Sequence, residues 1–101
     1  MQTLGREVIQ LAEGTTIVAS AQQVFCDLDG EAAILNLVNG VYYGLDPVGT
    51  RVWNLLQQPR TLIELRDILI AEYDVDAVLL ESDIRNLLSL LADNQLVEVS
   101  A

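Results

Sequence analysis

The chain has 101 residues, about half of them apolar, with fifteen acidic and five basic side chains. This length fits one domain with a modest core, and the apolar content excludes a wholly disordered chain. The formal charge of −10 opposes nucleic-acid binding, because that affinity comes largely from Lys and Arg that neutralise phosphates. The same charge favours a partner rich in Lys or Arg, with solubility alone as the alternative explanation.

Missing residue types exclude most catalytic and metal chemistry. The chain has no His, no Lys and a single cysteine, Cys26, which we interpret as a buried strand residue. His-Cys zinc sites, Ser-His and Cys-His pairs, Schiff-base lysines and internal disulfides are therefore excluded. We expect no catalytic residue, no metal and no cofactor. No apolar run approaches the roughly 18 to 20 residues of a membrane span and no signal segment opens the chain, so we expect a cytoplasmic protein.

The first half of the chain predicts strands. Residues 1–13 are weakly patterned and predict either a loose arm or a first strand, and residues 15–19 are extended with an undetermined pairing partner. Residues 24–28 and 31–37 predict two strands joined by a two-residue turn at Asp29-Gly30, because this pair tolerates positive φ.

A second turn of the same kind is predicted at Asn39-Gly40. It leads into a strand over residues 41–45, in which alternate side chains share a face. The predicted sheet is a three-stranded antiparallel meander whose outer strands are edges. One face of the last strand carries Val41, Tyr43 and Leu45, and the other carries Tyr42 and Gly44.

The second half of the chain predicts three helices. Asp46 is the predicted N-cap of the first, with Pro47 at its first position, where the missing N–H costs nothing. Thr61 and Glu64 form a capping box for the second. The predicted buried positions of these two helices are Val48, Val52, Trp53, Leu55, Leu56, Leu62, Leu65 and Leu69.

Asp76 is the predicted cap of the third helix, with Ser82 as the alternative. This helix runs to about Asp93, and Asn94 is expected to end it in the left-handed conformation. Its main apolar face holds Ile84, Leu87, Leu88 and Leu91, and residues 96–99 predict an extended tail. The predicted architecture is α+β and winged helix-turn-helix-like: a three-stranded antiparallel sheet followed by three helices, in a single domain over residues 1–101.

Five short motifs follow one another in this frame. They are Asp29-Gly30-Glu31, a G-x-Y-Y-x-L segment from Gly40 to Leu45, a W-x-L-L segment from Trp53 to Leu56, Tyr73-Asp74-Val75, and a D-x-x-x-L-L-x-x-L segment from Asp83 to Leu91. In this order they resemble the PqqD-like family of recognition elements for ribosomally synthesised, modified peptides (RiPPs). The chain is most similar to the stand-alone leader-binding proteins of lasso peptide biosynthesis. It departs from the pyrroloquinoline quinone protein, which has a Pro-Glu-Gly turn and a Gly-Trp near its end.

The resemblance implies a non-catalytic domain that binds a precursor's leader segment by strand addition and presents it to a modifying enzyme, such as a separate leader peptidase. The leader is expected between the third strand and the third helix. The implied leader-binding residues are Val41, Tyr42, Tyr43, Gly44, Leu45, Leu79, Asp83, Asn86 and Leu90.

Each of these residues also has a structural explanation. The two tyrosines fit ordinary strand positions, one inward and one outward. Leu79 and Leu90 fit packing on the first helix, and Asp83 fits a solvated helix charge.

Two other functions stay open: a winged-helix DNA-binding regulator and a small self-associating module. The third helix, with one Arg and three acids, opposes the first of these. We expect a monomer, with a homodimer as the alternative.

Overall fold

The computed structural model describes residues 14–100, so the segment predicted as an arm or strand at residues 1–13 lies outside the described range. Six strands and three helices follow in chain order. They are β1 (Thr16–Ala19), β2 (Gln23–Asp27), β3 (Ala32–Asn36), β4 (Tyr42–Gly44), α1 (Pro47–Leu55), β5 (Arg60–Thr61), α2 (Leu62–Glu72), α3 (Ala77–Asp93) and β6 (Val97–Ser100). The predicted α+β class, with three helices after the meander, is confirmed.

The meander β2–β3–β4 forms as predicted, and its first turn has the predicted geometry. Asp29 and Gly30 have φ angles of 60° and 89°. The flanking residues, Leu28 and Glu31, exchange backbone hydrogen bonds of 3.0 and 3.3 Å. Positive φ at both central positions is what a type I′ turn requires, so the Asp-Gly pair sets the register of this hairpin.

The second turn is not the predicted two-residue turn. Gly40 has a φ of 73°, whereas Asn39 is not in the positive-φ region. The backbone N–H of Asn36 donates to the Val41 oxygen at 3.0 Å, which leaves a four-residue loop over residues 37–40. The Asn36 Oδ1 atom accepts from the Val38 and Asn39 amides at 2.7 and 3.2 Å. A buried side chain thus closes this loop, which a propensity for Asn-Gly turns does not reveal.

A second three-stranded sheet, in the order β5–β1–β6, lies beside the meander. The extended segment predicted over residues 15–19 is therefore a strand, and its partners are now identified. β1 is the central strand: Thr16 pairs with Ser100 of β6 on one side and with Thr61 of β5 on the other. The next residue of β1, Ile17, is fully buried. These partners lie far along the chain, so no local pattern indicates the pairing.

All three helix starts occur where the capping residues predicted them. Asp46 Oδ1 accepts from the Gly49 amide at 2.7 Å, and Pro47 follows the cap. At α2 both hydrogen bonds of the Thr61–Glu64 capping box form. Asp76 caps α3 by accepting from two backbone amides.

Three side-chain and cap predictions were wrong. Val48 was predicted inside but is 39% exposed, because the short residues Gly49 and Thr50 occupy the inward side of the first turn of α1. Cys26 is exposed on β2. Asn94 has φ −99°, and the left-handed residue after α3 is Gln95, with φ 61°.

Trp53 lies at the centre of the core, fully buried, as predicted. Its ring meets Phe25 of β2 edge to face, with the centroids 5.5 Å apart, which ties α1 to the meander. The leucines predicted to face inward from α2 are all buried, while Leu87 of α3 is only partly buried. The other large, fully buried side chains include Ile17, Ile34, Leu56, Leu62, Leu65, Leu69, Ile84, Leu88, Leu91 and Leu96.

The buried hydroxyl of Thr50 joins β3, the end of β4 and α1. Thr50 Oγ1 accepts from the Ala32 amide at 2.7 Å and donates to the Leu45 carbonyl at 3.4 Å. Leu45 in turn donates its own amide to the Ala32 oxygen at 2.9 Å. These bonds fix the direction in which the chain leaves β4 and enters α1.

We predict that Thr50→Val lowers the free energy of unfolding by about 1–3 kcal/mol, because it keeps the shape but leaves the buried Ala32 amide unpaired. Urea denaturation with an unchanged m value measures this loss. Thr16→Val is the control: the same change at a half-buried strand position should alter stability by no more than about 0.5 kcal/mol. Equal effects of the two substitutions would contradict the role of the hydroxyl.

Candidate functional site

The outer edge of β4 is unpaired: within residues 14–100, β4 has a strand neighbour on one side only, β3. Backbone hydrogen bonds to β3 flank β4 at both ends: Asn36 donates to Val41 before it, and Leu45 donates to Ala32 after it. Because bonded and non-bonded pairs alternate in antiparallel strands, Tyr43 directs its N–H and C=O toward β3. Tyr42 and Gly44 direct theirs outward, so the edge offers two donors and two acceptors to an added strand.

An open groove of about 480 Å³ adjoins the end of this edge. Its walls are the end of β4, the first turns of α1, the connection between α2 and α3, and one face of α3. The groove is mostly apolar. Its lining side chains include Leu45, Val48, Val52, Tyr73, Val75, Leu79, Leu80, Asp83, Ile84, Leu87 and Leu90.

Several apolar side chains at the groove are exposed. Leu79 is 62% exposed, Leu90 52% and Val75 50%, and each lines the groove. Scattered apolar residues are normal on a surface, but several that converge on one concavity indicate a binding site. The arrangement suits an extended backbone at the β4 edge that inserts an apolar side chain into the groove.

The structure brings most of the predicted site residues together. Gly44, Leu45, Leu79, Asp83 and Leu90 line the groove. Asn86 lies beyond the groove rim, where it lines a separate depression together with Val78, Glu81, Ser82 and Arg85. The face of α3 that lines the groove is nearer to the core than the sequence predicts, because it includes Leu87 and leaves out Asn86.

The predicted strand residues at the other end of β4 do not line the groove. Tyr42 is 70% exposed, and Val41 is also exposed. Tyr43 is half-buried on the core side of the sheet, and its hydroxyl donates to Asn94 Oδ1 at 3.0 Å. The prediction of one inward and one outward tyrosine is therefore confirmed.

Sequence analysis missed several groove residues, among them the predicted core positions Val52, Ile84 and Leu87. Val48 was assigned to the core, and Tyr73 and Val75 were treated as part of a connection between helices. The available signal was the Tyr-Asp-Val segment itself, which places two large apolar residues between acidic ones in a short loop. Only the tertiary arrangement, in which α1 and α3 flank the open volume, shows that this loop forms a groove wall.

The described arginines all form bonds within the protein. Arg51 pairs with Glu72 at 2.6 Å, and Arg66 and Arg85 both pair with Glu81. The hydrogen bonds from these arginines lower the pKa of the Glu72 and Glu81 carboxyls. Arg60 donates to a backbone carbonyl at the end of α1.

The charge at the groove is therefore negative. Asp46 is occupied as the cap of α1, and no cation within residues 14–100 lies at salt-bridge distance from Asp83. Arg85, the one arginine of α3, is bound to Glu81, so this helix is poorly suited to a phosphate backbone. The groove is better matched to a ligand that carries Lys or Arg.

Between residues 14 and 100, no three His, Cys, Asp or Glu side chains cluster as metal ligands would. None of the helices in that range combines the length and apolar character needed to cross a membrane. The chemistry that the described site offers is hydrogen bonding at a strand edge, apolar contact and one carboxylate.

Two solved structures of similar proteins share this architecture. One is described as TbiB1 in complex with the TbiA(beta) leader peptide; the sequences are 40% identical, the TM-score is 0.75, and the match covers 80% of this chain and 94% of that one. The other is lasso peptide synthetase B1 complexed with the leader peptide, at 21% identity and a TM-score of 0.72, covering 86% and 99%. The second match supports the fold alone.

A family model described as coenzyme PQQ synthesis protein D (PqqD) matches residues 31–97. No curated protein matches the chain. The family match spans more than half of the chain, including the β4 edge, the three helices and the groove between them. It confirms the resemblance seen in the five motifs, and the chain belongs to the PqqD family.

Proposed function

We propose that this protein binds the leader segment of a ribosomally synthesised precursor peptide and presents it to a separate modifying enzyme. The observation that carries the proposal is the unpaired edge of β4, which leads directly into an apolar groove. The similarity to TbiB1, which was solved with a leader peptide, supports the same ligand class for this chain. A lasso peptide precursor is the specific ligand we propose.

In this proposal the leader extends the meander by one strand. Its backbone bonds to the outward N–H and C=O groups of Tyr42 and Gly44, while Val41, Tyr43 and Leu45 hold the edge in register with β3. Backbone pairing supplies affinity with little sequence preference. Selection among peptides must therefore come from side chains.

The groove supplies that selection. An apolar leader side chain would lie against Leu79 and Leu90 on α3, where it removes exposed apolar surface from water. Asp83 would pair with a leader Lys or Arg, at a net value of about 0–1 kcal/mol if the pair stays exposed. Asn86, beyond the rim, would contact only a leader segment that leaves the groove across α3.

The proposed role in processing is recognition without catalysis. A leader held by this domain keeps the rest of the precursor close to the modifying enzyme, so that the second encounter becomes effectively intramolecular. The proposed partner enzyme is a leader peptidase on a separate chain. The protein would act as a monomer in the cytoplasm, since a net charge of −10 opposes pairing between two copies.

Fluorescence anisotropy of labelled leader peptides tests this function. The probes are synthetic leaders from short reading frames encoded beside this gene, together with the TbiA(beta) leader. We expect saturable binding at micromolar or tighter affinity that is lost when the leader sequence is scrambled. If folded protein binds none of these peptides, the proposal is wrong, and light scattering then tests self-association through the β4 edge.

Gly44→Pro should weaken leader binding by about tenfold or more, because proline removes an outward donor and sets its ring at the edge. Gly44→Ala is the matched control, since a Cβ built at this position meets no atom within 4 Å and the N–H stays. Circular dichroism verifies that both variants fold. Equal affinities for the two variants would show that the leader does not pair with this edge.

Leu79→Ser tests the groove. The side chain is 62% exposed, so its loss should leave folding stability unchanged. The leader, however, would lose apolar contact worth about 1–2 kcal/mol of binding free energy, which predicts roughly 5- to 30-fold weaker binding. Val78→Ser is the control: this neighbour is 80% exposed and faces away from the groove. A leader that binds both variants equally well does not use the groove.

A further inference from the structure

Three hydrogen bonds converge on Asn94, the residue that follows α3. Asn36 Nδ2 donates to the Asn94 backbone oxygen at 2.8 Å. The Tyr43 hydroxyl donates to Asn94 Oδ1 at 3.0 Å, and Asn94 Nδ2 donates to the Leu90 carbonyl at 2.8 Å. We call this group, formed by Asn36, Tyr43, Asn94 and the Leu90 carbonyl, the Asn94 latch.

The latch connects the two walls between which the leader would lie. Tyr43 is the central residue of β4, the wall that carries the free edge, and Asn36 ends the neighbouring strand β3. Leu90 belongs to α3 and lines the opposite wall of the groove. Toward the other end of the groove, the open volume separates the end of β4 from Leu79 and Asp83. The latch therefore sets the distance between strand and helix at one end.

The surroundings make the latch a rigid connection. Asn36 is only 2% exposed, and its Oδ1 atom is already bound by two loop amides, so its side chain has one orientation. The two bonds from Asn36 and Tyr43 to Asn94 are part-buried, so leaving the buried Asn36 amide group unpaired is costly. The Leu90 carbonyl, which already accepts from the Asn94 backbone N–H at 3.2 Å, gains a second donor in the Asn94 side chain. The spacing of the walls is thus fixed during folding, before a ligand binds.

We infer that Tyr43 and Asn94 are positioning residues for leader recognition, which hold α3 at the distance from β4 that an added strand requires. This inference rests on the proposed function. Tyr43 itself does not face the leader, because its backbone groups pair with β3 and its side chain lies on the core side. A groove whose walls are already placed binds more tightly, since the ligand does not have to order them.

Tyr43→Phe tests the inference, because it keeps the ring and removes only the hydroxyl that reaches Asn94. We expect the dissociation constant for the labelled leader that the wild-type protein binds to rise about three- to tenfold. Thr61→Ala is the control: it removes the cap of α2, away from both walls, and should lower stability by a similar amount without changing the dissociation constant. Affinities are measured at a temperature where circular dichroism shows every variant folded.

A double-mutant cycle with Asn94→Ala shows whether Tyr43 acts through Asn94. We expect the double variant to bind no more weakly than Asn94→Ala alone, whereas additive losses would overturn the inference. Unchanged leader affinity in Tyr43→Phe, or an equal loss in Thr61→Ala, would also overturn it while the proposed function stands. Absence of binding by the wild-type protein instead contradicts the proposed function itself. If Tyr43→Phe does not fold, the leader dissociation constant of Asn94→Ala is compared with that of Thr61→Ala instead. Weaker binding in Asn94→Ala alone supports the inference, and equal values overturn it.

Discussion

The junction between β4 and α1 is the constraint on which the rest of the site depends. Within a few residues the chain must end a strand, begin a helix and leave the outer edge of that strand uncovered. The Thr50 hydroxyl holds the junction by bonding to Ala32 and Leu45, and Asp46 caps the helix that follows. Gly49 permits the close approach of the first helical turn, since a Cβ there would lie 3.1 Å from Asp46 Oδ1.

This junction places two kinds of recognition side by side. The outward backbone groups of Tyr42 and Gly44 suit any extended peptide, whereas the apolar groove beside Leu79 discriminates among side chains. The arginines of the described region are bound by neighbouring acids and carbonyls, and Asp46 is occupied as a helix cap, so Asp83 is the charged side chain that the groove offers to a ligand. A strand edge beside an apolar groove can thus combine general affinity for a backbone with preference for certain peptides.

Local signals predicted much of this fold. The caps at Asp46, Thr61 and Asp76 and the Asp29-Gly30 turn depend on neighbouring residues alone, and all four were correct. Predictions failed where a side-chain bond or a distant strand decides. Asn36 closes the second turn with its side chain, and β1 pairs with β5 and β6, which lie much further along the chain. The groove is a similar case. The helical period predicted Val48 as a core residue. Periodicity cannot show that this side of α1 faces an open groove and not a packed neighbour.

The most direct test of the account is amide hydrogen exchange by NMR, with and without a saturating leader peptide. In the free protein the Tyr43 amide should already exchange slowly because it is bonded to β3, while those of Tyr42 and Gly44 exchange quickly. The account predicts that leader binding slows exchange at Tyr42 and Gly44. Unchanged fast exchange at both amides in the saturated complex would contradict strand addition at the β4 edge.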